Sequence, residues 1–448
     1  MAPEQTSRGV VRYYILAMLF IATTVNYADR ATLSIAGPQV QAQLGLTSVA
    51  MGYLFSAFGW AYVLAQIPGG WLLDRFGSRR VYAASLLLWS FFTLVQGMAG
   101  WLAPAAALTA LFALRLLVGF AEAPAFPGNS RIVAAWFPTQ ERGTAAAVFN
   151  SAQYCATVIF TPLMGWITHR FGWAYVFYFM GVAGMLLCTV WLRQMHGPRQ
   201  HPRVTSAELT YIAAGGALVD LDSDASKAKK PLQWQQVKQL LGNRMLIGVY
   251  IGQYCITTLT YFFLTWFPIY LVRERGMTIL QAGLVASLPA ICGLAGGILG
   301  GVFSDALLKR GWSLTAARKT PIVGGMLLST TMIVCNYIQA DWLVVLFMSI
   351  AFFGKGVGAL GWAVVADTSP RQMTGVSGAV FNTFGNLAAI TTPIVIGYIL
   401  DATGSFTGAL IFVGANALVA MVSYLVVVGP IARLTLLEDG SPAATASA

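Results

Sequence analysis

The sequence predicts an all-α membrane protein: twelve transmembrane helices in two pseudo-symmetric bundles of six. Three observations predict it: the scarcity of charge, the length of the apolar runs and an internal repeat. Of 448 residues, 57% are hydrophobic and 10% charged, where a soluble domain carries about 25% charged residues. The apolar runs recur from end to end, and each is long enough to cross a hydrocarbon core of about 30 Å. Backbone groups in lipid must be satisfied within helices or a closed barrel. Barrel strands alternate polar and apolar residues, whereas Ala83 to Met98 and Ala105 to Phe120 are apolar throughout.

In chain order the expected helices cover 13–36, 49–72, 79–99, 105–128, 143–168, 173–192, 245–272, 280–303, 320–338, 342–366, 374–399 and 405–429. The chain divides into an N-terminal segment (1–12), a first bundle (13–193), a polar linker (194–243), a second bundle (244–429) and a tail (430–448). A short surface helix is expected in the linker at Ser206 to Ala214. The first apolar run lacks a small-residue cleavage site and reads as a retained helix. Cys155, Cys188, Cys255, Cys292 and Cys335 all lie in apolar segments without metal-ligand spacing, so they read as packing residues.

The net charge of +11 is a matter of topology. With the N-terminus in the cytoplasm, all but six of the 27 Lys and Arg fall on the cytoplasmic side. Arg170, Arg273 and Arg275 fall on the other side, and Arg30, Arg115 and Lys355 lie within helices. The positive-inside rule then puts both termini in the cytoplasm, and nucleic acid is not implied as a partner.

The halves repeat. Gly52, Gly70 and Asp74 return 231 residues later as Gly283, Gly301 and Asp305, and Thr161-Pro162 returns as Thr392-Pro393. Pro138, Gly143 and Phe149-Asn150 return at offset 232 as Pro370, Gly375 and Phe381-Asn382. Parallel six-helix repeats place a substrate site between halves, near the bilayer midplane.

Between the second and third segments stands Gly70-Trp71-Leu72-Leu73-Asp74-Arg75-Phe76-Gly77-Ser78-Arg79-Arg80. It resembles the G-x-x-x-D-R-x-G-x-[RK]-[RK] signature of the major facilitator superfamily. Physically, Gly70 would permit close helix approach. Asp74 would face a helix N-terminus, and the basic cluster with Arg75 would hold the loop inside. Gly70, Asp74, Arg75 and Gly77 are therefore expected to gate. Asn26 to Ala31, Ala121 to Asn129, Ile251 to Tyr254 and Phe353 to Gly356 resemble the anion:cation symporters for sugar acids, closest to the bacterial glucarate/galactarate branch and next to the galactonate branch.

Five ionisable groups sit inside apolar segments: Asp29, Arg30, Arg115, Glu122 and Lys355. Each isolated charge costs at least about 2.5–3.5 kcal/mol at a helix centre. They are either ion pairs that lock helices or functional groups. Tyr27 and Arg30 share a helix face, while Asp29 points about 100° away. Asp29 and Arg115 lie at depths that agree within about 5 Å, so Arg115 is the expected resting partner of Asp29. Glu122 lies seven residues deeper on the same face. A carboxyl that alternates between an apolar site and a neighbouring cation is a proton carrier, and the resemblance likewise assigns proton coupling to Asp29 and Glu122. The guanidinium of Arg30 fits a substrate carboxylate. Lys355, between Gly354 and Gly356 in the other half, is expected to hold the far end of a six-carbon diacid, with Trp362 on its face. Gln153, Gln253 and Asn382 are amides suited to sugar hydroxyls. The resemblance places these three around the substrate with Tyr27, Arg30, Tyr62 and Trp362.

The resemblance thus implies a proton-coupled symporter of the bacterial inner membrane, a monomer that takes up glucarate or galactarate by alternating access. It uses no cofactor beyond the proton as coupling ion. The alternatives are a carrier of monocarboxylate sugar acids and a transporter-like sensor. Ala359 and Gly361 stand where the galactonate branch offers hydroxyls, and Lys355 stands where that branch is neutral; both departures favour the diacids. The chain has no phosphate-cradling Gly-Lys-Ser/Thr loop and no nucleophile–base spacing, so neither an ATP-driven pump nor an enzyme is expected.

Overall fold

The computed structural model describes residues 9–222, 234–370 and 374–434. Residues 1–8, 223–233 and 435–448, and with them parts of the expected termini and linker, lie outside the described residues, as does Arg371. Every expected membrane segment is helical. The first half runs α1 (Val11–Leu44), α2 (Ser48–Phe76), α3 (Ser78–Gln96), α4 (Pro104–Glu122), α5 (Ala125–Trp136), α6 (Arg142–Phe171) and α7 (Trp173–Gln194). The linker carries α8 (Ser206–Ala214) and α9 (Trp234–Gly242). The second half runs α10 (Arg244–Tyr261), α11 (Phe267–Arg273), α12 (Ile279–Val285), α13 (Ser287–Lys309), α14 (Leu314–Ser329), α15 (Asp341–Val357), α16 (Gly361–Thr368), α17 (Thr374–Thr403) and α18 (Thr407–Val422). Ten of the helical stretches among the described residues are long and apolar enough to cross a membrane.

Four segments expected to be continuous are interrupted: 105–128, 245–272, 280–303 and 342–366. Proline explains three. Pro124 stands in the break between α4 and α5. Pro268 and Pro289 each crowd the carbonyl four residues earlier: that of Leu264 lies in a π-helical turn, Phe262–Trp266, and that of Val285 ends α12. The fourth break follows the glycine-rich stretch Gly354 to Gly358. An i, i+7 argument across it fails, so Trp362 does not share a continuous helix face with Lys355.

The chain forms two compact units. The first comprises Met1–Ala228, Tyr261–Ile291 and Ala389–Ala409. Within it α1 packs along α6 and α7, α2 along α4, and α3 along α7 and α4, while α11 and α12 pack on α1 and α6. The second comprises Lys229–Thr260, Cys292–Ala388 and Leu410–Ala448. There α15 meets its neighbours through glycine: a Cβ on Gly354 would overlap the Gly325 carbonyl of α14, and one on Gly356 the Gly293 carbonyl of α13. At these two glycines the neighbouring helices approach closely.

Large apolar side chains are exposed along the helices, Ile67 at 84% and Leu64 at 66% among them, as lipid-facing positions require. Asp29, Arg30, Arg115, Glu122 and Lys355, the five ionisable groups within the apolar segments, are buried. The linker is docked: buried Glu208 of α8 accepts from the backbone N–H groups of Val11 (3.3 Å) and Arg12 (3.1 Å) at the start of α1, where a carboxylate satisfies orphan donors and the helix dipole.

Candidate functional site

The first unit gathers six of the expected residues. Arg30 of α1 pairs with Glu122 of α4, Nε to Oε2 at 2.9 Å. Three rings surround the guanidinium: Tyr27 at 4.8 Å, Phe58 at 4.6 Å and Tyr62 at 4.8 Å to the centroid. Tyr62 stacks on Phe58, centroids 5.3 Å apart, because residues four apart on α2 share a face. The ion pair occupies Nε only, so the terminal nitrogens remain for another partner.

Asp29 turns away from this cage, as its 100° offset from Arg30 requires, but its partner is not the one expected. Its Oδ2 accepts from Thr93 Oγ1 of α3 at 2.7 Å. Arg115 forms no hydrogen-bonded pair with it; the guanidinium lies over Phe58, 5.7 Å from the centroid, within electrostatic reach of both carboxyls. Depth along the membrane normal agreed for Asp29 and Arg115, but helix rotation favours a hydroxyl on α3. Gln153 of α6 donates to the Asn150 carbonyl at 3.1 Å.

The second unit gathers others. Gln253 of α10 donates to Thr257 at 3.2 Å and lies against Gly361 of α16 and Gly385 of α17. Trp362 is 46% exposed and meets the Phe381 ring edge-on, centroids 5.0 Å apart, next to Asn382, whose carbonyl accepts from Asn386. Buried Lys355 sets its ammonium 5.1 Å from the Phe352 ring centroid. Among the described residues no group of three or more His, Cys, Asp or Glu is placed to hold a metal ion.

The loop motif also differs from expectation. No group approaches a Cβ built on Gly70 within 4 Å, whereas one on Gly69 meets Pro124 N at 3.1 Å; the close approach belongs to Gly69. Asp74 pairs with Arg131 of α5. The carboxylate on a helix N-terminus is Asp222 of the linker, which accepts from Ser78 N at 3.1 Å and from Arg131 Nε at 3.1 Å. Gly77 turns the chain between α2 and α3 at φ +79, a conformation that only glycine adopts cheaply. Arg75 lies 5.3 Å from the Trp71 centroid.

A family model, Major Facilitator Superfamily, matches residues 19–317. The chain belongs to the Major Facilitator Superfamily. Its similarity to members of that superfamily extends over nearly all its length. It is 66% identical to the probable galactarate/D-glucarate transporter GudP of Bacillus subtilis, covering 95% of this chain and 94% of that protein. It is 62% identical to the protein of the same name from Escherichia coli K12, covering 97% of each. It is 41% identical to a D-galactonate transporter of Escherichia coli O6:H1, covering 95% and 97%. Among solved structures, a bacterial homolog of the lysosomal transporter Spinster, inward-facing and occupied, superposes with TM-score 0.69 at 17% identity over 94% and 95% of the two chains. The chain thus has the major facilitator fold of twelve helices, and it is a transporter, not an enzyme.

Sequence reasoning missed Phe58 and Thr93. Phe58 lies one helical turn before Tyr62 and was hidden among apolar neighbours. Thr93 is a hydroxyl in an apolar helix, a weak signal until the helices are packed.

Proposed function

We propose that the protein imports sugar-acid anions with protons by alternating access, the six-carbon diacids glucarate and galactarate foremost. The observation that carries this reading is the Arg30–Glu122 ion pair inside its aromatic cage. A substrate carboxylate at the terminal nitrogens of Arg30 and the Glu122 carboxylate at its Nε would place two negative charges against one guanidinium. Protonating Glu122 removes its claim, and Arg30 then presents its fork to the substrate. Proton binding and anion binding thereby favour one another, which is the linkage that symport requires. The diacid assignment is supported by the names of the relatives above and by a further buried cation, Lys355. The protein would work as a monomer in the bacterial inner membrane, and its charge distribution supports a cytoplasmic place for both termini.

The test is proteoliposomes that enclose a pH-sensitive dye, with glucarate, galactarate or galactonate added outside and no imposed potential. Diacids are expected to acidify the lumen, and Glu122→Gln to abolish that signal. The 41% identity to a D-galactonate transporter favours a second reading, a monocarboxylate carrier. Acidification by galactonate alone would establish it. Binding without accumulation would establish a sensor.

A further inference from the structure

The first unit buries more polar chemistry than the ion pair uses, and part of the excess lies along one line. It begins at Gln96, near the C-terminal end of α3, with no exposed surface and no hydrogen-bond partner for either amide atom. Thr93 lies one turn back on the same face and donates to Asp29, whose Oδ1 is unpaired. Asp29 and Glu122 interact with one another and with Arg30 and Arg115. Next to Glu122 stands Asn26 of α1, whose side chain interacts with that carboxyl. One turn further back on α1, Thr23 accepts from Asn129 of α5 at 2.9 Å. The Tyr82 hydroxyl of α3 lies against both, near the N-terminal end of that helix.

The geometry is economical. Tyr82 and Thr93 are eleven residues apart, so they share one face of α3 about 16 Å from each other. Between them that face carries Leu86 and Trp89, both buried and apolar. The polar track leaves α3 at Thr93, crosses α1 and α4 through the carboxyls, and rejoins α3 at Tyr82. A buried polar atom without a partner is costly, and internal water is its usual partner.

We propose that this track, from Gln96 and Thr93 through Asp29 and Glu122 to Asn26, Thr23, Asn129 and Tyr82, is the proton conduit of the transporter. It is contained within the first unit. The inference rests on the proton-coupled reading above and adds the route. A hydroxyl relays a proton by accepting one and releasing its own, so Thr93, Thr23 and Tyr82 end unchanged. The amides of Gln96, Asn26 and Asn129 hold water in line. Asp29 becomes a carboxylic acid and returns to carboxylate as Glu122 takes the proton. The guanidiniums of Arg30 and Arg115 oppose an extra positive charge between the carboxyls, and a substrate carboxylate at Arg30 offsets that opposition, so proton and anion favour one another. Under the proposed topology Gln96 is the outer mouth and Tyr82 the cytoplasmic one.

The test compares two readouts in proteoliposomes: lumen acidification driven by glucarate, and counterflow of labelled glucarate at equal pH, which needs no net proton movement. Gln96→Leu, Thr93→Val and Tyr82→Phe are expected to slow acidification about tenfold or more, as loss of a positioned proton relay does, and to leave counterflow within about twofold. Tyr82→Phe keeps the ring stacked on Trp191 and removes only the hydroxyl; counterflow reports folding for every variant. Acidification and counterflow falling together would mean a packing role and overturn the conduit, as would no change in either. Glu122→Gln separates the two levels. If it still acidifies the lumen, proton coupling through Glu122 falls and the conduit with it. If it is silent while all three track variants acidify normally, only the conduit falls.

Discussion

Arg30 shows how one side chain serves two charges. Its aliphatic stem and planar head are buried among three rings, which replace part of the hydration lost on entering the protein. One nitrogen meets Glu122. A lysine keeps the charge but loses the fork and stacks less well on the rings. Arg30→Lys is therefore expected to weaken the half-saturating concentration for glucarate about 10- to 100-fold, the equivalent of about 1.4–2.8 kcal/mol, in dose–response measurements of uptake. The presence of this buried charge was legible in the sequence, because an arginine in an apolar segment is costly. Its partner was not. By spacing Glu122 lies seven residues deeper than Arg115, and only the packing of whole helices brings it to Arg30.

At the scale of elements, the linker up to Asp222 packs as part of the first bundle. Its α8 caps α1 through Glu208, and Asp222 caps α3 while pairing with Arg131. The expected surface helix at Ser206 to Ala214 coincides with α8, since Thr205 supplies the N-cap, accepting from Glu208 N at 3.2 Å. Its docking was not legible, because a carboxylate in a polar linker looks solvated until its donors are placed. His201 packs edge-on against Trp136, centroids 5.6 Å apart, and burial, with His196 and Arg203 nearby, holds its pKa below the usual 6.5. The folded linker therefore keeps His201 neutral. Its packing is at full strength above that pH and weakens below it, as the undocked segment takes up a proton that the docked one refuses. Limited proteolysis between residues 195 and 222 is expected to quicken as the pH falls from about 7.5 to about 5.5, and His201→Gln is expected to flatten that dependence.

Across the whole molecule the repeat conserves packing and divides chemistry. Gly52 and Gly283, or Pro162 and Pro393, are equivalent in both halves. At the positions equivalent to Asp29, Arg30, Arg115 and Glu122, the second half has Thr260, Tyr261, Leu346 and Phe353. The proton chemistry is accordingly expected to reside in the first half, and the second contributes Lys355 and the Gln253, Trp362 and Asn382 group. Lys355→Gln is expected to abolish glucarate-driven acidification while galactonate transport persists or improves. Equal loss for both substrates would remove the diacid assignment and leave the ion-pair coupling in place.

The sequence by itself determined the membrane setting, the number of helices, the internal repeat and the identity of the costly charges. These follow from composition and from one-dimensional spacing against a bilayer of fixed thickness. Tertiary structure decided the pairing: Arg30 with Glu122, Asp29 with Thr93, Asp222 with α3, and glycines 354 and 356 with neighbouring helices. The reason is geometric. A residue's depth is set by a rise of about 1.5 Å per position, but its direction turns by about 100°, and which neighbour stands in that direction depends on how whole helices pack.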